Sequence, residues 1–168
     1  MRPPRGADRA ELLAAVRWFL ERIPGVPGIE RVALVGSLAT DKLDPQDLDL
    51  LATVRPGADL TALAALGRRT EGKRKNGTWG VDLFVVENGR YLGRACKYRE
   101  PHPRVRCGRC LCVPERPFLC DTSGQFTLNV DALVGTGAVL WPQFQAAKDL
   151  PQDVVGILRG RSFGPEEG

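Results

Sequence analysis

The sequence predicts an α/β (α+β) domain, a mixed twisted β-sheet with helices packed on one side and a cysteine-rich β insert. Three observations predict it. Helical and strand periodicities alternate from residue 9 to residue 86 in the order helix, strand, helix, strand, helix, strand, the order that lays helices on a sheet. Glycine and proline mark the joints between these segments. Beyond residue 90 the composition changes, and all five cysteines fall between positions 96 and 120.

With 168 residues the chain can form one domain with a sizeable core. Apolar residues make up 43% and charged residues 26%, an ordinary globular balance. A net charge of +4 is compatible with a nucleotide or nucleic-acid partner and too small to require one. No apolar run approaches the roughly 18–20 residues that span a bilayer. No apolar signal core precedes the first charged helix, so a cytoplasmic protein with no membrane partner is expected.

Taken in order, residues 1–7 are basic and proline-rich, an expected frayed start. Asp8 and Glu11 form a capping-box signature that starts a helix at Arg9. Leu12, Leu13, Val16, Phe19, Leu20 and Ile23 give it one apolar stripe, and Pro24-Gly25 ends it. Residues 29–35 read as a strand that runs into Gly36-Ser37 and a short helix, which Asp44-Pro45 stops. A second strand carries Asp47 and Asp49 and ends near Arg55-Pro56-Gly57. Asp59 caps a helix through Arg69 whose Leu60, Leu63 and Leu66 face the sheet. Residues 68–77 form a basic, glycine-punctuated connection, either a solvated loop or a contact for a polyanion. Residues 79–86 are a third strand, apolar except for Asp82, and Glu87-Asn88-Gly89-Arg90 signals a hairpin. Further on, residues 126–130 read as a strand, Asp131 begins a short helix with a glycine stop, and residues 138–141 form an edge strand. A last helix is expected within residues 143–160.

Strand alternation puts Asp47 and Asp49 on one face. Two carboxylates that close repel each other unless a cation lies between them. Mg²⁺ suits such a pair, because it binds through one or two carboxylates plus substrate phosphates. Asp82 adds a third carboxylate, costly in an apolar strand without a partner. Gly36 and Ser37 close a strand and open a helix, where backbone N–H groups suit a phosphate.

An apolar residue (Val35), Gly36-Ser37, nine residues, then Asp47-Leu48-Asp49-Leu50 and a later Asp82 between apolar neighbours together form a pattern. It resembles the nucleotidyltransferase superfamily related to DNA polymerase beta, in its small stand-alone form, over roughly residues 10–90. The resemblance implies a nucleotidyltransferase-type fold and transfer of a nucleoside monophosphate from an NTP to a hydroxyl-type acceptor, with release of pyrophosphate. Asp47 and Asp49 would then hold two Mg²⁺ ions, and Asp82 would ligate the acceptor-side ion and accept the proton of the attacking hydroxyl. Gly36 and Ser37 would bind the β- and γ-phosphates. The acceptor, whether small molecule, protein or RNA, is unspecified. Larger members carry a separate recognition domain for which this chain leaves little room, so a homo-oligomer or a partner chain could complete the site.

The resemblance does not extend to the cysteines. An odd number argues against a disulfide framework. Cys107-Gly-Arg-Cys110 has the two-residue spacing of a zinc knuckle. Cys96 and Cys120 flank it and are the first choice to complete a tetrahedral, structural Zn²⁺ site, with Cys112 and His102 as alternates. The plainer possibility is a set of small buried thiols. The expected organisation is a catalytic core over residues 8–90, a zinc-binding insert over 91–122, and residues 123–160 completing the same domain. A different class of function competes with the enzyme: a non-catalytic protein of the same fold, acting through the zinc insert and Arg99, Arg104, Arg106 and Arg109 as an RNA- or protein-binding module.

Overall fold

Leu12, Leu13, Val16, Phe19 and Leu20 recur at helical spacing, and all five are buried on one stripe of helix α1 (Arg9–Leu20). The computed structural model describes residues 9–74, 79–96, 111–112, 115–121, 129–147 and 149–158. After α1 come β1 (Ile29–Val35), β2 (Leu48–Val54), α2 (Thr61–Glu71), β3 (Val81–Glu87) and β4 (Arg90–Ala95). Then follow β5 (Leu111–Cys112), β6 (Leu119–Asp121), α3 (Val130–Thr136), β7 (Ala138–Trp141), β8 (Gln145–Ala146) and α4 (Gln152–Leu158). The strands form one sheet in the order β5-β6-β4-β3-β2-β1-β7-β8. Among the described residues only β2 and β3 pair in parallel. The crossover helix α2 that joins them makes the parallel pairing reachable.

The main core lies between this sheet and α1, α2 and α4. Val32 and Leu34 of β1, Leu48, Leu50, Ala52 and Val54 of β2, and Val81, Leu83 and Val85 of β3 all face it. Leu63 and Leu66 of α2 and Val154 of α4 meet them from the helix side. The N-cap of α2 falls on Leu60, which makes no side-chain cap bond, and not on Asp59 as expected; one residue earlier, Asp59 Oδ1 accepts the Thr61 N–H (2.9 Å) and the Thr61 hydroxyl (2.6 Å). The β3–β4 hairpin is the expected one. Asn88 and Gly89 both take positive φ, 51° and 72°, as a two-residue turn between twisted strands requires.

Several expectations are corrected. Helices do not all lie on one side, because Val130, Leu133 and Val134 of α3 pack on Ala33, Val35, Leu51 and Val86 across the opposite face. Val130 belongs to this helix and not to a strand; Asn129 caps it by accepting the Ala132 N–H. Residues 126–128 lie outside the described residues. Strand β7 is not an edge, since β8 pairs on its outer side. That short strand also takes the place of the first turns of the last helix, which begins only at Gln152, after Pro151. Helix α2 runs past its expected end at Arg69 to Glu71, into the stretch expected to be a connection. No helix among the described residues is long and apolar enough to cross a membrane.

The last part of the insert is fastened to the far end of the sheet. Arg116 donates to Glu87 Oε1 (2.8 Å) and to the Ala58 carbonyl (3.0 Å), and Glu87 Oε1 also accepts the Gly57 N–H (2.8 Å). The Gly57 hydrogen bond, followed by Arg116, holds the Glu87 carboxyl below its usual value of 4.5 against a partial cost of burial. A lowered folded value means the stabilisation is complete above the unfolded glutamate value and is lost as pH falls through the folded one. Glu87→Gln should therefore cost about 1 kcal/mol in urea denaturation at pH 7. The gap between variant and wild type should close as the pH falls below 4. A gap that stays constant with pH would show that the carboxylate charge contributes nothing.

Candidate functional site

Strand β1 runs antiparallel to β2, and β2 runs parallel to β3, so the end of β1 and the starts of β2 and β3 meet at one end of the sheet. Register pairs Val35 with Asp49 and Asp49 with Asp82. In-register neighbours share a face, with strands about 4.8 Å apart. Asp49 and Asp82 therefore stand side by side on the face opposite the main core, both half-buried.

Directly after β1, Gly36 adopts φ 74° and ψ −161°, a region open to essentially no residue but glycine. A Cβ at this position would overlap Asp49 Oδ2 and crowd its Cβ and Cγ. The glycine thus lets the chain turn against the Asp49 carboxylate. The expected short helix is a single 3₁₀ turn, Ser37–Ala39, in which the Ala39 N–H bonds the Gly36 carbonyl (3.1 Å). Arg9 anchors the segment that follows. Its guanidinium donates to the carbonyls of Thr40 (2.8 Å) and Lys42 (2.9 Å) and to Asp153 Oδ2 (2.9 Å). Hydrogen bonding from Arg9 lowers the Asp153 carboxyl below its ordinary value.

Asp47 precedes β2 and plays a different part from Asp49. Its Oδ1 accepts the Gly80 N–H (2.7 Å), and the Gly80 carbonyl in turn accepts the Leu48 N–H (2.9 Å). This clasp fixes the start of β3 against the start of β2. Asp82 Oδ1 accepts a hydrogen bond from Arg94 Nη1 at 2.9 Å, an ion pair in which the side chains are 22% and 32% exposed. Exposure at that level leaves the pair worth about 1 kcal/mol, well short of a buried one.

Arg94 reaches this face because of a β-bulge. Val86 pairs with Tyr91 but Val85 pairs with Gly93, so β4 carries one extra residue between them. Without that residue Arg94 would point into the main core. Sequence alternation alone does not locate the bulge, and the site role of Arg94 was missed; the only local sign is Gly93, which has φ 142°. Arg9 was missed as an anchor because its partners are main-chain carbonyls about 30 residues away.

Of the cations in the 68–77 stretch, Lys73 and Arg74 have partners of other kinds. Lys73 Nζ lies over the Trp18 ring (4.8 Å to its centroid), with Arg22 on the same ring at 3.9 Å. Arg74 pairs with Glu71 and donates to the Trp79 carbonyl.

Cys96 and Cys120 are buried and form no disulfide, Cys96 at the end of β4 and Cys120 on β6. Cys112 lies opposite Cys120 in register. Cys107, Cys110 and His102 lie outside the described residues. Among the described residues no group of three or more His, Cys, Asp or Glu is placed to hold a metal ion. The donors that do come together are the carboxylates of Asp49 and Asp82. Two carboxylates suit Mg²⁺, which fills its remaining positions with water and phosphate oxygens. No protein-family model, no curated protein and no solved structure matches the chain.

Proposed function

We propose that the chain is a Mg²⁺-dependent nucleotidyltransferase that moves a nucleoside monophosphate from an NTP to a hydroxyl-type acceptor and releases pyrophosphate. One observation carries this reading: Asp49 and Asp82 stand in register on one sheet face, against a glycine whose missing Cβ makes room for Asp49. That arrangement suits the donor set of the polymerase-beta-like superfamily, which the order of Gly36-Ser37, Asp47, Asp49 and Asp82 resembles.

In this reading Asp49 and Asp82 would hold Mg²⁺, and Asp47, whose Oδ1 is taken by the Gly80 N–H, would join them through its second carboxylate oxygen. The bound ions would neutralise the triphosphate and the charge that grows on the leaving pyrophosphate. The backbone N–H groups of Gly36 and Ser37 orient the β- and γ-phosphates. Asp82 takes the proton from the acceptor hydroxyl as its oxygen bonds the α-phosphorus and the bond to the β-phosphate oxygen breaks. Positioning and charge neutralisation account for most of the acceleration in such displacements.

A second reading has its own support. Arg94 already pairs with Asp82, and Asp47 already clasps Gly80, so these two carboxylates have structural work without a metal. A non-catalytic protein of this fold, binding RNA or protein, would use them in that way.

Thermal melting separates the two. Ligands that bind only the native state raise its melting temperature. Wild type should be stabilised by several degrees with Mg²⁺ and a millimolar NTP together, and by neither alone to the same extent. Asp49→Asn should still fold cooperatively without ligand and should lose that stabilisation. An Asp49→Asn protein stabilised as strongly as wild type would remove the metal role of Asp49.

A further inference from the structure

We infer that Arg94 is a phosphate-binding arm held on Asp82 until a divalent cation displaces it, an inference that rests on the metal reading of Asp49 and Asp82. Two independent observations lead there. The bulge between Tyr91 and Gly93 turns Arg94 away from the main core and onto the carboxylate face. Bulges recur beside functional sites because they re-aim one side chain. Once there, its guanidinium donates to Asp82 Oδ1 at 2.9 Å, an oxygen that a metal ion would also need.

A cation and a metal ion cannot both take that oxygen at full strength. Arg94 supplies one positive charge to a pair of neighbouring carboxylates, which keeps them tolerable in the absence of metal. A divalent ion brings twice the charge and can bridge both carboxylates. The ion pair is partly exposed, so solvent screens it and it opens at little cost. Once released, the guanidinium remains next to the metal with its planar fork of donors, the geometry that binds phosphate oxygens. Metal and triphosphate therefore reinforce each other: the metal frees the arm, and the arm binds the anion that the metal carries.

Arg94 is a positioning residue in this account, and its test uses Mn²⁺ alone as the first probe. Free Mn²⁺ is measured by electron paramagnetic resonance on wild type, Arg94→Gln, Arg94→Lys and Asp82→Asn, each checked for an unchanged circular dichroism spectrum. Arg94→Gln should bind Mn²⁺ roughly tenfold more tightly than wild type, because a competing charge is gone. Arg94→Lys, which keeps the charge, should stay within about threefold of wild type, and Asp82→Asn should lose binding. In saturating Mn²⁺, Arg94→Gln should bind ATP about tenfold more weakly than wild type. That opposite movement of metal and nucleotide affinity is not produced by a merely structural arginine. Equal Mn²⁺ affinity in wild type and Arg94→Gln would overturn the inference and leave the carboxylate site standing. Unchanged ATP affinity in Arg94→Gln would equally overturn the phosphate arm. Absence of Mn²⁺ binding in all four folded proteins would overturn the inference together with the metal reading beneath it.

Discussion

Gly137→Ala lowers the unfolding free energy by about 3 kcal/mol, a melting-temperature drop of roughly 6–12 °C for a chain of this size. The glycine sits where α3 ends and β7 begins, and a Cβ there would overlap the carbonyl oxygen of Leu34. Its φ of −115° is negative, and the expected cost is that of space. The obstacle is main chain in the centre of the sheet. Leu34 pairs with Leu50 on one side and with Ala138 on the other, so it cannot step aside as the tip of a side chain can. Relief requires β7 to move away from β1, which also disturbs Ala138 and Leu140 in the main core. Differential scanning calorimetry on the alanine variant reads the effect. A variant that melts within a degree of wild type would mean that α3 and β7 approach β1 less closely than described.

Gly36→Ala should lower stability by about 2–3 kcal/mol and also remove Mg²⁺-dependent nucleotide binding. Two costs combine. The backbone at φ 74° and ψ −161° is nearly closed to any residue with a Cβ, at about 1–3 kcal/mol. The added methyl also strikes the Asp49 carboxylate, which must swing away from its place beside Asp82. A double-mutant cycle with Asp49→Ala separates the two. Truncating Asp49 in the Gly36→Ala background should recover part of the lost stability, because the collision is gone, and none of the binding. Strict additivity of the two substitutions would show that Gly36 and Asp49 do not touch.

The contrast between these glycines shows what could be read from the residues alone. Gly36 announces itself as a turn, since it ends an apolar strand, precedes serine and is followed at fixed spacing by Asp-Leu-Asp; that it leaves room for the Asp49 carboxylate is seen only in the structure. Strands β1, β2 and β3 and helix α1 were legible for the same reason, since period-2 and period-3.6 apolar spacing is set by residues close in sequence. Gly137 carries no such signal, because its neighbour Leu34 is about 100 residues away in the chain. The bulge that delivers Arg94 is hidden likewise; one extra residue in β4 reverses the face of everything after it, and both registers place an apolar side chain in the core. Helix α3 was legible as a short helix from Asp131; only its first residue, Val130, was read into a preceding strand, because an apolar residue next to a short helix fits either element until its packing partners are seen. Among the expected zinc ligands, Cys96 and Cys120 are found buried, and Cys107 and Cys110 lie outside the described residues.

The most direct measurement is a crystal structure grown with Mn²⁺ and a non-hydrolysable NTP analogue, located by the anomalous signal of manganese. The account predicts a manganese peak shared by the carboxylates of Asp49 and Asp82, with the analogue's phosphates beside Gly36 and Arg94 moved from Asp82 onto them. Ordered analogue or manganese elsewhere, with the Arg94–Asp82 pair intact and nothing between the carboxylates, would contradict the account. The fold would then be a scaffold, and its function would lie with another surface.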